Sequence, residues 1–179
     1  MKIAYVGMEA DLIHHGHINI IKQARDYGKV VVGLLTDRAI VSYDRIPVLS
    51  YEQRKIIVEN ISGVSEVIPQ DSLEYTENLK KIKPDYVVHG DDWKNGPQEK
   101  IREGVINTLS EWGGEVIDIP YTKEISSAKL YEHLNLIGNT PDVRRSKLSR
   151  LISAGKMVRL MEVHNGLTGR IVETSSVDG

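Results

Sequence analysis

Five short apolar runs, each separated from the next by a stretch with helical spacing, constrain this chain more than any other feature. The runs fall at residues 2–7, 29–35 (Lys-Val-Val-Val-Gly-Leu-Leu), 65–68, 85–89 (Asp-Tyr-Val-Val-His) and 115–119. Helical patterns lie at 17–27, 51–61, 74–82 and 97–112, the last two with apolar residues at three- and four-residue intervals. Short β-branched strands that alternate with helices predict an α/β fold, a Rossmann-like, doubly wound parallel sheet. In such a sheet ligands sit beyond the carboxyl ends of the strands. His14, Thr36-Asp37, Gly90-Asp91-Asp92 and Pro120-Tyr121 each follow a predicted strand, so four segments converge on one edge.

The first of those segments carries the clearest chemistry. Lys2-Ile-Ala-Tyr-Val-Gly7 runs through a turn into His14-His15-Gly16-His17. A strand–turn–helix junction presents backbone N–H groups at the positive end of a helix, and Gly16 allows close approach of the backbone. His14 and His17 are three apart and can converge on one group once the helix begins. The chain has no cysteine, which removes disulfides, thiol nucleophiles and thiolate metal sites together. The pattern therefore points to phosphate electrostatics rather than covalent catalysis.

Net charge is −2, so no global basic field argues for nucleic acid or a membrane surface. No run approaches the roughly 20 apolar residues of a membrane span. Glu9 and Asp11 interrupt any apolar core after the first strand, which speaks against a signal peptide. These features predict a soluble cytoplasmic protein. A length of 179 residues allows one good-sized domain with a small appendage. Gly138-Asn-Thr-Pro141 is turn chemistry and marks a boundary. The expected organisation is a domain over 1–136, a linker over 137–147 and a separate segment over 148–179. Six Lys or Arg and one acidic residue between 141 and 160 read as the solvated face of a short helix plus a linker.

Taken in order, these elements resemble the cytidylyltransferase branch of the nucleotidyltransferases, especially the glycerol-3-phosphate cytidylyltransferases. The resemblance covers residues 1–135. It includes His14-x-Gly16-His17, Ser50-Tyr-Glu-Gln-Arg-Lys55, Val64-Ser-Glu-Val-Ile-Pro69, Gly90-Asp91-Asp92-Trp93 and Ile125-Ser126-Ser127-Ala128-Lys129. It implies transfer of CMP from CTP with Mg²⁺ and release of pyrophosphate, in a homodimer. His14 and His17 would stabilise charge on the α-phosphate, and Arg45 and Arg54 would supply cations to the phosphates or acceptor. Asp92 would bind the nucleotide or its Mg²⁺, and Trp93 would line the base or ribose. Ser126 and Ser127 would hold the β- and γ-phosphates, with Gly7, Met8, Gly16, Tyr121, Thr122 and Ile125 completing the nucleotide site. Each has a plainer reading beside it: Ser126 as a helix cap, Trp93 as core, Asp91 as a turn residue.

Three positions depart from the glycerol-phosphate enzymes. The turn Gly7-Met-Glu-Ala-Asp-Leu-Ile-His14 is one residue longer, with Met8 near their threonine. Arg45 stands where they carry a mobile lysine, which keeps the charge but presents a planar fork. Tyr121 replaces an arginine. The acceptor or the grip on phosphate is therefore expected to differ.

Leu148 to Leu167, with its Met161-Glu-Val-His-Asn-Gly-Leu167, resembles the opening of phosphoenolpyruvate mutase, a barrel enzyme that makes carbon–phosphorus bonds. Met157–Glu162 would be its first strand and Leu167–Thr174 its first helix. One βα unit cannot close an eight-stranded barrel, so mutase activity is not expected. The chain would be the front part of a longer bifunctional protein, or a truncated one. This neighbourhood implies a phosphonate acceptor, 2-aminoethylphosphonate or a relative, over a phosphate such as glycerol-3-phosphate. An adenylyltransferase shares the histidine motif. A nucleotide-binding module without turnover is the reading from another class, supported by Tyr121. An aminoacyl-tRNA synthetase fragment fits poorly, because the chain is short and acidic and its nearest match to the second signature of those enzymes is Ile125–Lys129.

Overall fold

The computed structural model describes residues 2–120, 122, 130–131, 141–155 and 157–175. The chain forms two compact units, Met1–Gly138 and Asn139–Gly179. In the first, five parallel strands, β1 (Ile3–Met8), β2 (Lys29–Leu35), β3 (Val64–Gln70), β4 (Tyr86–Gly90) and β5 (Glu115–Ile119), stand in the order β3-β2-β1-β4-β5. This is the doubly wound sheet that the alternation predicts.

The helices between the strands are α1 (His15–Ala24), α2 (Asp37–Val41), α3 (Tyr51–Glu59), α4 (Thr76–Ile82) and α5 (Glu99–Ser110). Four of them agree with the periodic stretches to within a turn. Helix α2 is too short to show a period, and its one local signal is the Thr36 hydroxyl, which accepts the Ala39 N–H at 3.3 Å. A 3-10 turn, Asp91–Lys94, follows β4.

Strand alternation sorts the core into two layers. Ala4, Val6 and Met8 of β1 pack with Ile21 and Ala24 of α1 and Val58 of α3. Tyr5, between them, faces the opposite layer with Leu79 of α4, Val105 and Leu109 of α5, and Trp93. Full burial of each such aliphatic side chain contributes about 1.5–3 kcal/mol. The two layers therefore fix which strand ends meet at the carboxyl edge. There β1 turns one way to β2 and β3, while β4 and β5 lie on its other side, so the chain's direction of winding switches between β1 and β4.

The second unit departs from the sequence reading in two ways. Residues 141–147 are not a linker but the first half of α6 (Pro141–Ser153), with proline at the first helical position, where its missing N–H costs nothing. Residues 157–164 form no strand, because a strand needs a paired edge and the described residues of this unit offer none. The expected helix is present as α7 (Gly166–Glu173), capped by Asn165, whose side-chain oxygen accepts the N–H groups of Leu167 and Thr168 at 3.1 and 3.0 Å.

Candidate active site

The start of α1 is built by its histidines. His14 is extended and caps the helix: its Nδ1 accepts the Gly16 N–H at 3.1 Å, and the His14 N–H donates to Nδ1 of His17 at 3.3 Å. Each ring thus uses Nδ1 as an acceptor and carries its proton on Nε2, a donor for an oxyanion. The ring centroids lie 4.2 Å apart. Burial pushes His17 down to about 4, with the neighbouring His14 adding to the effect. Burial also lowers His14, with a smaller contribution from His15. Both rings are neutral at pH 7 in the free protein. A methyl group on Gly16 would come within 2.8 Å of His14 Cε1, so glycine is required for the ring to sit where it does.

This helix start opens into a cavity of about 220 Å³ at the switch point between β1 and β4. Of the predicted residues, Gly7, Met8, His14, Gly16, His17, Asp92 and Thr122 line it. Thr122 is tied to α1, its hydroxyl accepting from Asn19 Nδ2 at 3.2 Å. Tyr121, Ile125, Ser126 and Ser127 lie outside the described residues.

Three other predicted residues are placed differently. Arg54 was expected to reach phosphate, yet it is fully buried and does not line the cavity. Its guanidinium donates to the carbonyls of Glu9, Leu35 and Leu49 at 2.6, 2.7 and 3.2 Å, and to Asp37 Oδ1 at 2.7 Å. A fork so satisfied ties strand ends together and is a positioning group. Arg45 is likewise absent from the cavity wall: Nη1 lies 2.8 Å from Oδ2 of the buried Asp11, and its guanidinium carbon sits 3.9 Å over the Tyr131 ring. Trp93 is 1% exposed and faces a second, adjoining cavity rather than the first. Its indole N–H donates to Asp118 Oδ1 at 2.7 Å, and Arg102 binds the other oxygen of Asp118 at 2.8 Å. That network pins the 3-10 turn, so Asp92 projects at the cavity mouth with half its side chain exposed.

Glu9, His89 and Gln98 also line the cavity and were missed. His89 was legible in principle, since it is the last residue of a predicted strand, 85–89. Its ring stacks on Trp93 with centroids 4.0 Å apart, and burial lowers its pKa. For Glu9 no spacing rule gives a signal, because its place depends on the lengthened turn.

A doubly wound sheet with a histidine-capped helix start at its switch point is an α/β architecture suited to holding a nucleotide's phosphates. The Cytidylyltransferase-like family model matches residues 5–133, and the chain belongs to that family, as a nucleotidyltransferase. It is 36% identical over 122 residues to the glycerol-3-phosphate cytidylyltransferase of Bacillus spizizenii, spanning 67% of this chain and 87% of that one. An 88-residue stretch is 36% identical to the ethanolamine-phosphate cytidylyltransferase of Arabidopsis thaliana, covering 46% of this chain and 21% of that protein. The crystal structure of a lipopolysaccharide core biosynthesis protein from Thermoplasma volcanium shares the fold. Its TM-score is 0.57 at 19% identity, covering 70% of this chain and 99% of that one. Among the described residues no helix is long and apolar enough to cross a membrane.

Proposed function

We propose that the chain transfers CMP from CTP to an oxyanion of a phosphonate or phosphate acceptor. The acceptor oxygen attacks the α-phosphorus in line, a new P–O bond forms, and the bond to the β-phosphate oxygen breaks to release pyrophosphate. The nucleophile is already ionised at neutral pH, so no general base is needed. The observation that carries this reading is the pair of Nε2–H groups of His14 and His17 at the start of α1, on rings that line the cavity. Donors aimed at charge that builds in the transition state contribute about 3 kcal/mol each, or about 100-fold in rate.

Mg²⁺ fits the same cavity. Among the described residues no group of three ligating side chains could hold a metal unaided, but a Mg²⁺ ion needs few protein ligands when substrate phosphates supply the rest. Asp92, half-exposed at the cavity, is the carboxylate suited to hold it. Bound there, the ion would neutralise charge on the departing pyrophosphate.

For the acceptor, the phosphonate class is supported by the mutase-like segment 148–179. Met157, Leu160, Leu167 and Ile171 in that segment are each more than half exposed. A mutase domain in cis, within a longer parent protein, would cover them and would supply phosphonates. The sequence identity to glycerol-3-phosphate cytidylyltransferases supports glycerol-3-phosphate equally. Incubation with CTP or ATP, Mg²⁺ and either 2-aminoethylphosphonate or glycerol-3-phosphate, with pyrophosphate measured, separates these readings. The expected result is release with CTP and the phosphonate. Turnover of glycerol-3-phosphate while every phosphonate stays inert would overturn the phosphonate acceptor, and preference for ATP would overturn the nucleotide.

A further inference from the structure

Beside the nucleotide cavity lies a second one of about 120 Å³, and the two share Gly7, Met8, Glu9, His89 and Gln98 as a common wall. Because the two cavities share this wall, an acceptor whose oxyanion lay beside His14 and His17 would have the second cavity within reach of its far end. The chemistry waiting there is specific. Tyr43, Tyr75 and Trp93 line the second cavity with aromatic surface, and no lysine or arginine lines either cavity among the described residues. The charged group on the shared wall that faces both spaces is the Glu9 carboxylate.

That carboxylate is short of hydrogen-bond donors. Its Oε1 is buried without a partner, and the nearest cation, Arg45 Nη1, stands 3.6 Å away because it is drawn to Asp11 at 2.8 Å. Its Oε2 takes a long 3.5 Å bond from the Tyr43 hydroxyl. Burial pushes the Glu9 pKa up, only partly offset by Arg45. The backbone nevertheless holds the side chain in place. Arg54 donates to the Glu9 carbonyl at 2.6 Å, and the next residue, the fully buried Ala10, takes a left-handed φ of 54°. A half-buried carboxylate short of donors, with aromatic faces beside it, suits a cation that brings its own N–H groups. A second anion would be repelled, and a hydroxyl would supply one donor and no charge.

We propose that Glu9 selects an acceptor with a primary ammonium at its far end, an aminoalkyl phosphonate or aminoalkyl phosphate, by pairing with that ammonium in the second cavity. This rests on the transfer reading above and adds the residue that chooses among its acceptors.

The test compares kcat/KM for 2-aminoethylphosphonate and ethanolamine phosphate with ethylphosphonate and ethyl phosphate, which lack the amine, all with CTP and Mg²⁺. The wild-type protein is expected to prefer each amine-bearing acceptor over its counterpart by about tenfold or more, the scale of one charge-assisted hydrogen bond. The larger of the two amine rates tells whether a phosphonate or a phosphate ester is the source. Glu9→Gln should abolish the preference by losing rate on the amine-bearing acceptors. Pyrophosphate release from all four acceptors with no amine preference in the wild type would overturn the inference alone, without recourse to a variant. So would a preference that survives in Glu9→Gln. Absence of release with all four while glycerol-3-phosphate turns over would overturn the inference alone, and absence with glycerol-3-phosphate as well would overturn the transfer reading.

Discussion

His14 and His17 hold one another through the backbone of the turn they flank. With each Nδ1 occupied by a backbone N–H, the rings are held in place and carry their protons on Nε2. Burial keeps them neutral, so the free protein presents hydrogen-bond donors without fixed charge. That arrangement has a measurable consequence for stability. His17 titrates near 4 when folded, against an ordinary 6.5. Between these values the unfolded chain takes up a proton that the folded chain does not. Stability from this residue is therefore fully present above about pH 6.5 and is lost as pH falls toward 4, by on the order of 3 kcal/mol in all. Thermal unfolding of wild type and His17→Gln from pH 7 to 4 checks the sign. The wild type should lose stability more steeply on acidification, and parallel curves would refute the assignment.

Between elements, Arg54 does for the strand ends what the histidines do for α1. From its place in α3 it binds the chain just after β1 at Glu9, the end of β2 at Leu35, the start of α2 at Asp37 and the residue before the α3 cap at Leu49. Lysine cannot reproduce this, because a point charge has no planar fork to spread over four acceptors. Removing the side chain would take this donor from the carbonyls of Glu9, Leu35 and Leu49. Arg54→Ala is expected to lower the unfolding free energy by about 3–5 kcal/mol in urea denaturation. A loss below about 1 kcal/mol would show that the carbonyls find other donors. The Trp93–Asp118–Arg102 network plays the matching part on the other side of the switch point, holding β5 to the turn that carries Asp92.

At the level of the whole molecule, the sheet, four of its helices and the histidine pair that opens α1 were legible because each rests on local information. Strand runs, helical period and a glycine between histidines survive in any tertiary context. Arg54 was misread for the opposite reason. An arginine in the first turn of a helix near strand ends looks like a phosphate ligand, and its acceptors come from four segments that meet only in the fold. Trp93 was turned from ligand to wall by a carboxylate 25 residues away. The strand that the mutase resemblance implied at Met157–Glu162 has no edge to pair with among the described residues. Glu9 was hidden because the length of a turn does not say where its side chains go. What the fold adds is convergence: two histidines, Asp92 and the start of α1 around one cavity at the switch point, with Glu9 on the wall it shares with the next. The most direct test of that centre is pyrophosphate release at saturating CTP and acceptor by wild type and His17→Ala. The account predicts turnover reduced at least about 100-fold in the variant, with the CTP-free unfolding transition at pH 7 still cooperative. Near-normal turnover in His17→Ala would contradict it.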